Sequence, residues 1–149
     1  MKYWDDMKPG DVEETGTHTF TEAEILEFAR EFDPQSFHVD REAAARSIYG
    51  GLIASGWHTT AVMMRLLCDS FLNQSASLGS PGFDDLRWLK PVRAGDTIRV
   101  RATVDEVIPS RSRADIGSTR GRTEAINQHG EVVLVMTSIG LYRRRPAAE

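Results

Sequence analysis

The sequence predicts an α+β domain in which a long antiparallel sheet curls around one central helix. Three observations predict it. The segment after Gly56 is apolar around almost its whole circumference, as a buried helix must be. Four runs with strand character follow in the second half, with clear alternation in TIRVRATVDEV and EVVLVMTSIGLY. The 149 residues suffice for one domain with a real core and not for two, so the strands themselves must cover the helix. Residues 1–149 are therefore read as a single domain.

Residues 1–11 read as an irregular lead-in with a Pro9-Gly10 turn, and 12–20 (VEETGTHTF) as a first strand. Thr21 is a good N-cap, with Glu24 at the third helical position to close a capping box. Ile25, Leu26, Phe28, Ala29 and Phe32 follow at helical spacing. Pro34 stops this helix near Phe32, because proline disfavours helical geometry in the residue before it. Asp33 then falls at a helix exit and His38 in an extended loop. Asp40 is placed to cap a short helix over residues 41–47. Gly50, Gly51 and Gly56 crowd residues 48–56, marking a loop that needs unusual backbone angles or close approach. In the central helix, Trp57, Ala61, Met64, Cys68 and Phe71 form one apolar stripe. Val62, Met63, Leu66, Leu67 and Leu72 fill most of the rest, leaving Arg65 and Asp69 as the main exceptions. Residues 75–82 read as a loop, and strands are expected over 83–92, 97–108, 120–127 and 131–143.

The composition, 40% apolar and 27% charged, is that of a soluble globular protein. A net charge of −4 gives no electrostatic reason to expect nucleic acid, and the one basic run, Arg143-Arg144-Arg145, is a weak patch. The single cysteine, Cys68, excludes an internal disulfide and any zinc spacing, which fits a reducing cytoplasm. The N-terminus lacks the apolar core of a signal peptide, and no apolar run approaches the roughly 18 residues that span a membrane.

The stretch FDPQSFHVD, residues 32–40, holds Asp33 and His38 five residues apart. Singly, each has a bland reading. An Asp before Pro at a helix end is usually a turn residue, and a loop histidine is usually a satisfied surface group. Asp40 reads as a helix cap, and Cys68 as a core filler with nothing nearby to lower its pKa. His58 reads as a packing residue close to the site, and His18 and His129 as strand and turn residues.

Taken with the helix and strand layout, these residues resemble the MaoC-like dehydratase family of hot-dog folds, to which the (R)-specific enoyl-CoA hydratases belong. The family's hydratase motif runs D-x-N-P-x-H. Here Asp33-Pro34-Gln35-Ser36-Phe37-His38 keeps the Asp and His at their spacing, with Gln35 in place of Asn and Ser36 in place of Pro. The family's helix-opening glycine lies eighteen residues after its His, where Gly56 stands. Its P-V-x-x-G-D turn is matched by Pro91-Val92-Arg93-Ala94-Gly95-Asp96. The likeness runs over about residues 8–145. A further departure matters: the hydratases carry a serine eight residues past the glycine, where this chain has Met64. Thr60, one turn earlier, substitutes only if its hydroxyl points inward.

The resemblance implies a hydro-lyase that reversibly adds water to 2-enoyl-CoA thioesters. A carboxylate and an imidazole that both reach one water, within about 3 Å, can move its proton, and histidine exchanges protons near neutral pH. The free N–H groups at a helix start favour the negative charge that develops on the thioester oxygen. Asp33 and His38 would hold and activate the water, and the Gly56 N–H would bind the oxygen. Which of the two side chains supplies the α-carbon proton stays open. Gln35, Ser55, Trp57, Thr60 and Met64 are the expected substrate contacts, with Met63 beside them along an acyl tunnel. Arg87, Lys90 and Arg93 are the expected cations for CoA phosphates. The resemblance further implies acyl-CoA as substrate along a homodimer interface, with no metal and no separate cofactor. Two other functions stay open. A thioesterase would take its carboxylate from the central helix, where Asp69 is the only acid. A non-catalytic acyl-CoA-binding subunit would fit the changes at Ser36 and Met64.

Overall fold

A computed structural model describes residues 1–148. After a 3-10 turn at Trp4–Asp6 come β1 (Val12–Thr19), α1 (Glu22–Phe32), α2 (Ser36–Val39), α3 (Arg41–Arg46) and α4 (Gly56–Ser70). A second 3-10 turn at Leu72–Gln74 leads to β2 (Phe83–Trp88), β3 (Thr97–Pro109), β4 (Ile116–Ile126) and β5 (Val132–Arg143). The strands form one antiparallel sheet in the order β1-β3-β4-β5-β2. Two-residue alternation puts Ile98 and Val100 of β3, Ala125 of β4, and Leu134 and Met136 of β5 on the core. There they meet Met63, Leu66 and Leu67 of α4. This is the α+β arrangement, sheet on central helix, that the sequence predicts.

The helix starts follow local signals. Thr21 Oγ1 accepts from the Glu24 N–H (3.2 Å), and Glu24 Oε1 accepts from the Thr21 N–H (3.1 Å). Asp40 Oδ1 accepts from the N–H groups of Glu42 and Ala43, capping α3. The expectation for His38 needs correction. It lies in the single turn of α2, not in an extended loop, with its N–H bonded to Gln35 O (2.9 Å). Pro34 breaks α1 through its fixed φ, its missing N–H and its clash with the residue before it, but it does not restrict the residues after it, and the chain turns again from Ser36.

Two strand boundaries also differ. β2 ends at Trp88, because Pro91 has no N–H for a ladder and the following chain turns away to pair Val92 O with the Ala54 N–H (2.8 Å). β4 starts at Ile116, ahead of residue 120, its first residues being small and polar (Gly117, Ser118, Thr119) yet fully paired to β3 and β5.

The sheet covers α4 on one side only. His58, Thr59, Met63, Leu66 and Leu67 are buried, so Met63 belongs to the core and not to a tunnel. The stripe Trp57, Ala61, Met64, Cys68 and Phe71 is exposed or half-buried, with Trp57 57% exposed. Cys68 is therefore no core filler. The basic run near the C-terminus is not a free patch either: Arg144 pairs with Asp5 and Arg145 with Asp6. No helix among the described residues is long and apolar enough to cross a membrane.

Candidate active site

The site is assembled where α1 ends and α4 begins. The loop before α4 is tied down by Ile53 N–H to Phe37 O (3.3 Å) and by the Ala54–Val92 bond. That fixes Ser55 as the N-cap of α4, its Oγ accepting from the Trp57 N–H (3.2 Å) and donating to Asp33 Oδ2 (2.7 Å). Gln35 Nε2 donates to the other carboxylate oxygen (2.7 Å). His38 Nε2 stands 3.3 Å from Asp33 Oδ2. Its Nδ1 lies 2.7 Å from Ile53 O. A carbonyl can only accept, so Nδ1 carries a proton and Nε2 is the nitrogen free to exchange one.

Burial of the Asp33 carboxyl acts to raise its pKa, but the hydrogen bonds from Ser55 and Gln35 and the nearby His38 charge outweigh it. The net effect holds Asp33 below the usual carboxylate value. Asp33, His38, Gly56, Trp57 and Trp88 line one cleft of about 540 Å³. The Gly56 N–H has no acceptor among the described residues, as expected at the first position of a helix.

Glycine at this position also permits a close packing contact. The indole of Trp88 lies across it, and a Cβ there would come 2.4 Å from Trp88 Cε2. That ring is held by Nε1–H donation to Thr60 Oγ1 (3.1 Å) and by an edge contact with Trp57 at 5.0 Å.

Comparison with known proteins bears on this arrangement. The sequence matches the MaoC-like domain over residues 7–128. The chain belongs to the MaoC-like domain family. This MaoC-like chain superposes on the MaoC-like dehydratase from Rhodospirillum rubrum with a TM-score of 0.90 and 43% identity, over 97% of this chain and 99% of that one. It is 36% identical to Protein MaoC of Klebsiella aerogenes over 103 residues, 68% of this chain but only 30% of that longer protein. It is 27% identical to the 3-hydroxybutyryl-CoA dehydratase of Methylorubrum extorquens over 137 residues, 89% of this chain and 82% of that one.

Within the MaoC-like chain, the residues expected to contact substrate divide. Gln35 and Trp57 line the cleft beside Asp33, His38 and Gly56. Ser55 does not: it is fully buried and its hydroxyl is committed to Asp33 and the helix start, so it positions the carboxylate. Thr60 is also removed from the cleft, its hydroxyl donating to Gly56 O (2.9 Å) as it accepts from Trp88. Met64 lines a separate cavity of about 170 Å³ along the C-terminal half of α4, with Leu67, Phe71, Leu72 and Met136. Among the expected cations, Lys90 borders the cleft and pairs with Glu131. Arg93 Nη2 instead donates to Tyr49 O (2.6 Å) and braces the glycine loop. Trp88 and the Ile53 carbonyl had no sequence signal, because both act through contacts far along the chain.

His58 packs, as expected, between α1 and α4. It stacks on Phe28 (4.8 Å, 9°) and meets Phe20 edge-on (5.0 Å). Its Nδ1 is buried without a partner among the described residues. Burial lowers its pKa, with Glu24 opposing and His18 assisting.

Proposed function

We propose that this chain catalyses the reversible hydration of 2-enoyl-CoA thioesters to 3-hydroxyacyl-CoA. The observation that carries the reading is the Asp33–His38 pair, 3.3 Å apart, lining one cleft with the unpaired N–H at the start of α4. A water bonded to both side chains, beside their direct contact, gives its hydroxyl to the β-carbon and a proton to the pair. The pair returns a proton to the α-carbon through His38 Nε2 or the carboxylate. The Gly56 N–H and the helix dipole meet the charge on the thioester oxygen. The 3-hydroxybutyryl-CoA dehydratase of Methylorubrum extorquens supports the same class of reaction. Adding the protein to 2-butenoyl-CoA is expected to remove the enoyl-thioester ultraviolet absorbance. Thermal stabilisation by that compound with no loss of absorbance would instead make the chain a binding subunit.

The thioesterase reading loses its carboxylate. Asp69 lies at the far end of α4, exposed, and bonded to Arg65 (2.8 Å). Release of free thiol from acyl-CoA is therefore not expected.

The reading includes a homodimer. The uncovered apolar stripe of α4 and the exposed Phe83, Trp88 and Leu89 of the β2 edge form a face that a second copy would bury. Light scattering is expected to give about twice the 16.6 kDa chain mass. Ala61→Arg, which puts a charge on the exposed stripe, should return it to a monomer; a monomeric wild type would remove the dimer from the proposal.

A further inference from the structure

Strand β2 lies at the edge of the sheet and carries one residue more than its partner β5. Asp84 pairs with Thr137 and Arg87 with Val135, so three steps along β2 face two along β5. Asp85 marks the bulge: it is the one non-glycine residue with positive φ (53°) among the described residues. Opposed residues of an antiparallel pair share a face. Phe83 opposes Ser138 and Trp88 opposes Leu134, and these two β5 residues lie on the same face, with the core residue Met136 between them. Phe83 and Trp88 are five residues apart, so in an unbroken strand they would point to opposite faces. The bulge puts both on the inner one: Phe83 on the cavity beside Met64, and Trp88 in the cleft across Gly56. It also brings Leu86 onto the core and leaves Asp84, opposite Thr137, on the outer face, bonded to Arg120 (3.1 Å).

We propose that Asp85 is a positioning residue of the active site: its left-handed backbone reverses the phase of β2 and so sets Trp88 as the cleft wall over Gly56. The effect on activity rests on the reading that a thioester oxygen binds at the Gly56 N–H. Without the extra residue, Asp85 and Arg87 would take the inner positions, and Leu86 and Trp88 the outer ones. An outward indole could reach neither Thr60 nor Trp57, the two α4 residues that now hold it. Aspartate suits the position, because its short polar side chain tolerates left-handed geometry that branched side chains resist. An edge strand suits the bulge, because its outer side has no neighbouring ladder to disrupt.

The test compares Asp85→Val, whose branched side chain resists the left-handed backbone, with Asp85→Gly, which adopts it freely. Three readouts are taken on the full chain: KM and kcat for 2-butenoyl-CoA; thermal stabilisation by butanoyl-CoA, which needs no turnover; and the drop in Tm that Gly56→Ala causes in each background. Asp85→Val should raise KM by up to about 30-fold and weaken butanoyl-CoA binding to match, with a smaller change in kcat. In that chain Gly56→Ala should lower Tm less than it does in the wild type, because the indole is no longer fixed across the glycine. Asp85→Gly should restore the KM, the binding and the full Gly56→Ala penalty. If Asp85→Val does not fold, Asp85→Ala takes its place. A variant that melts lower but keeps the KM, the binding and the full Gly56→Ala penalty overturns the proposal, since residue 85 would then serve stability alone. A wild type in which Gly56→Ala carries no penalty overturns it too. A penalty that shrinks in Asp85→Val, with hydration by none of the chains, leaves the positioning role standing and removes the hydratase reading.

Discussion

Asp33→Asn is expected to slow enoyl-CoA hydration by about 10²- to 10⁴-fold, the contribution of a positioned general acid or base. Asparagine keeps the size of the side chain and an oxygen for the Ser55 hydroxyl, but it has no charge with which to take a proton from water. His38→Ala should cost a comparable factor. Its Nδ1 is tied to Ile53 O, so loss of Nε2 removes the one ring nitrogen that can exchange with water. The double variant should be no slower than the slower single variant, because the two groups act on one water as a unit. Initial rates of absorbance loss at saturating substrate, with circular dichroism as a check on folding, measure this. Near-wild-type rates in both single variants would defeat the assignment.

The pKa of Asp33 adds a pH signature. A carboxyl held below its ordinary value stays ionised to lower pH than a free carboxyl does, so acid inhibition through Asp33 is displaced downward. The stabilisation contributed by its hydrogen bonds and by His38 is likewise complete above the ordinary value and lost as pH falls through the lowered one. Ser55→Ala removes one of the two hydrogen bonds and leaves burial acting. The acid limb should then move to higher pH, with a stability loss of about 1 kcal/mol from the missing helix cap.

Gly56→Ala is expected to destabilise the protein by about 1–3 kcal/mol despite alanine's better helix propensity. The propensity gain is at most about 1 kcal/mol. Against it stands a methyl carbon placed 2.4 Å from the Trp88 ring, which cannot yield without breaking its bond to Thr60 and its contact with Trp57. At about 2–4 °C per kcal/mol for a chain of this size, calorimetry should record the drop in Tm. Hydration should fall as well, because the displaced indole swings from the wall of the cleft. Trp88→Ala in the same chain removes the clash and should restore much of the lost stability. If Gly56→Ala alone melts at or above the wild-type temperature, the indole is not what demands glycine there.

The parts of this molecule that were legible in the sequence are those decided by near neighbours. The Thr21–Glu24 capping box, the Asp40 cap and the alternating runs of β3 and β5 each express themselves within a few residues. The Asp33–His38 pair was legible as spacing, but not as geometry. The bond that orients Asp33 comes from Ser55, 22 residues away, and the group that fixes the His38 tautomer is a backbone carbonyl that no side-chain pattern reveals. Helix α4 misled for a different reason. Apolarity around the whole helix implies cover on all sides, yet one chain supplies a sheet on one side only, and the stripe through Trp57 and Ala61 is left for another surface. Arg144 and Arg145 read as a basic patch because their partners, Asp5 and Asp6, stand 139 residues away.

The imidazole lodged between α1 and α4 decides how the protein meets acid. An unfolded chain takes up a proton at His58 once pH drops past about 6.5. The folded chain resists, because that ring stacks on Phe28 and its inner nitrogen meets no acceptor among the described residues. As pH falls from there toward the lowered value of the folded ring, the balance tilts toward unfolding. Mild acidification therefore weakens the fold through the ring that the folded chain keeps uncharged.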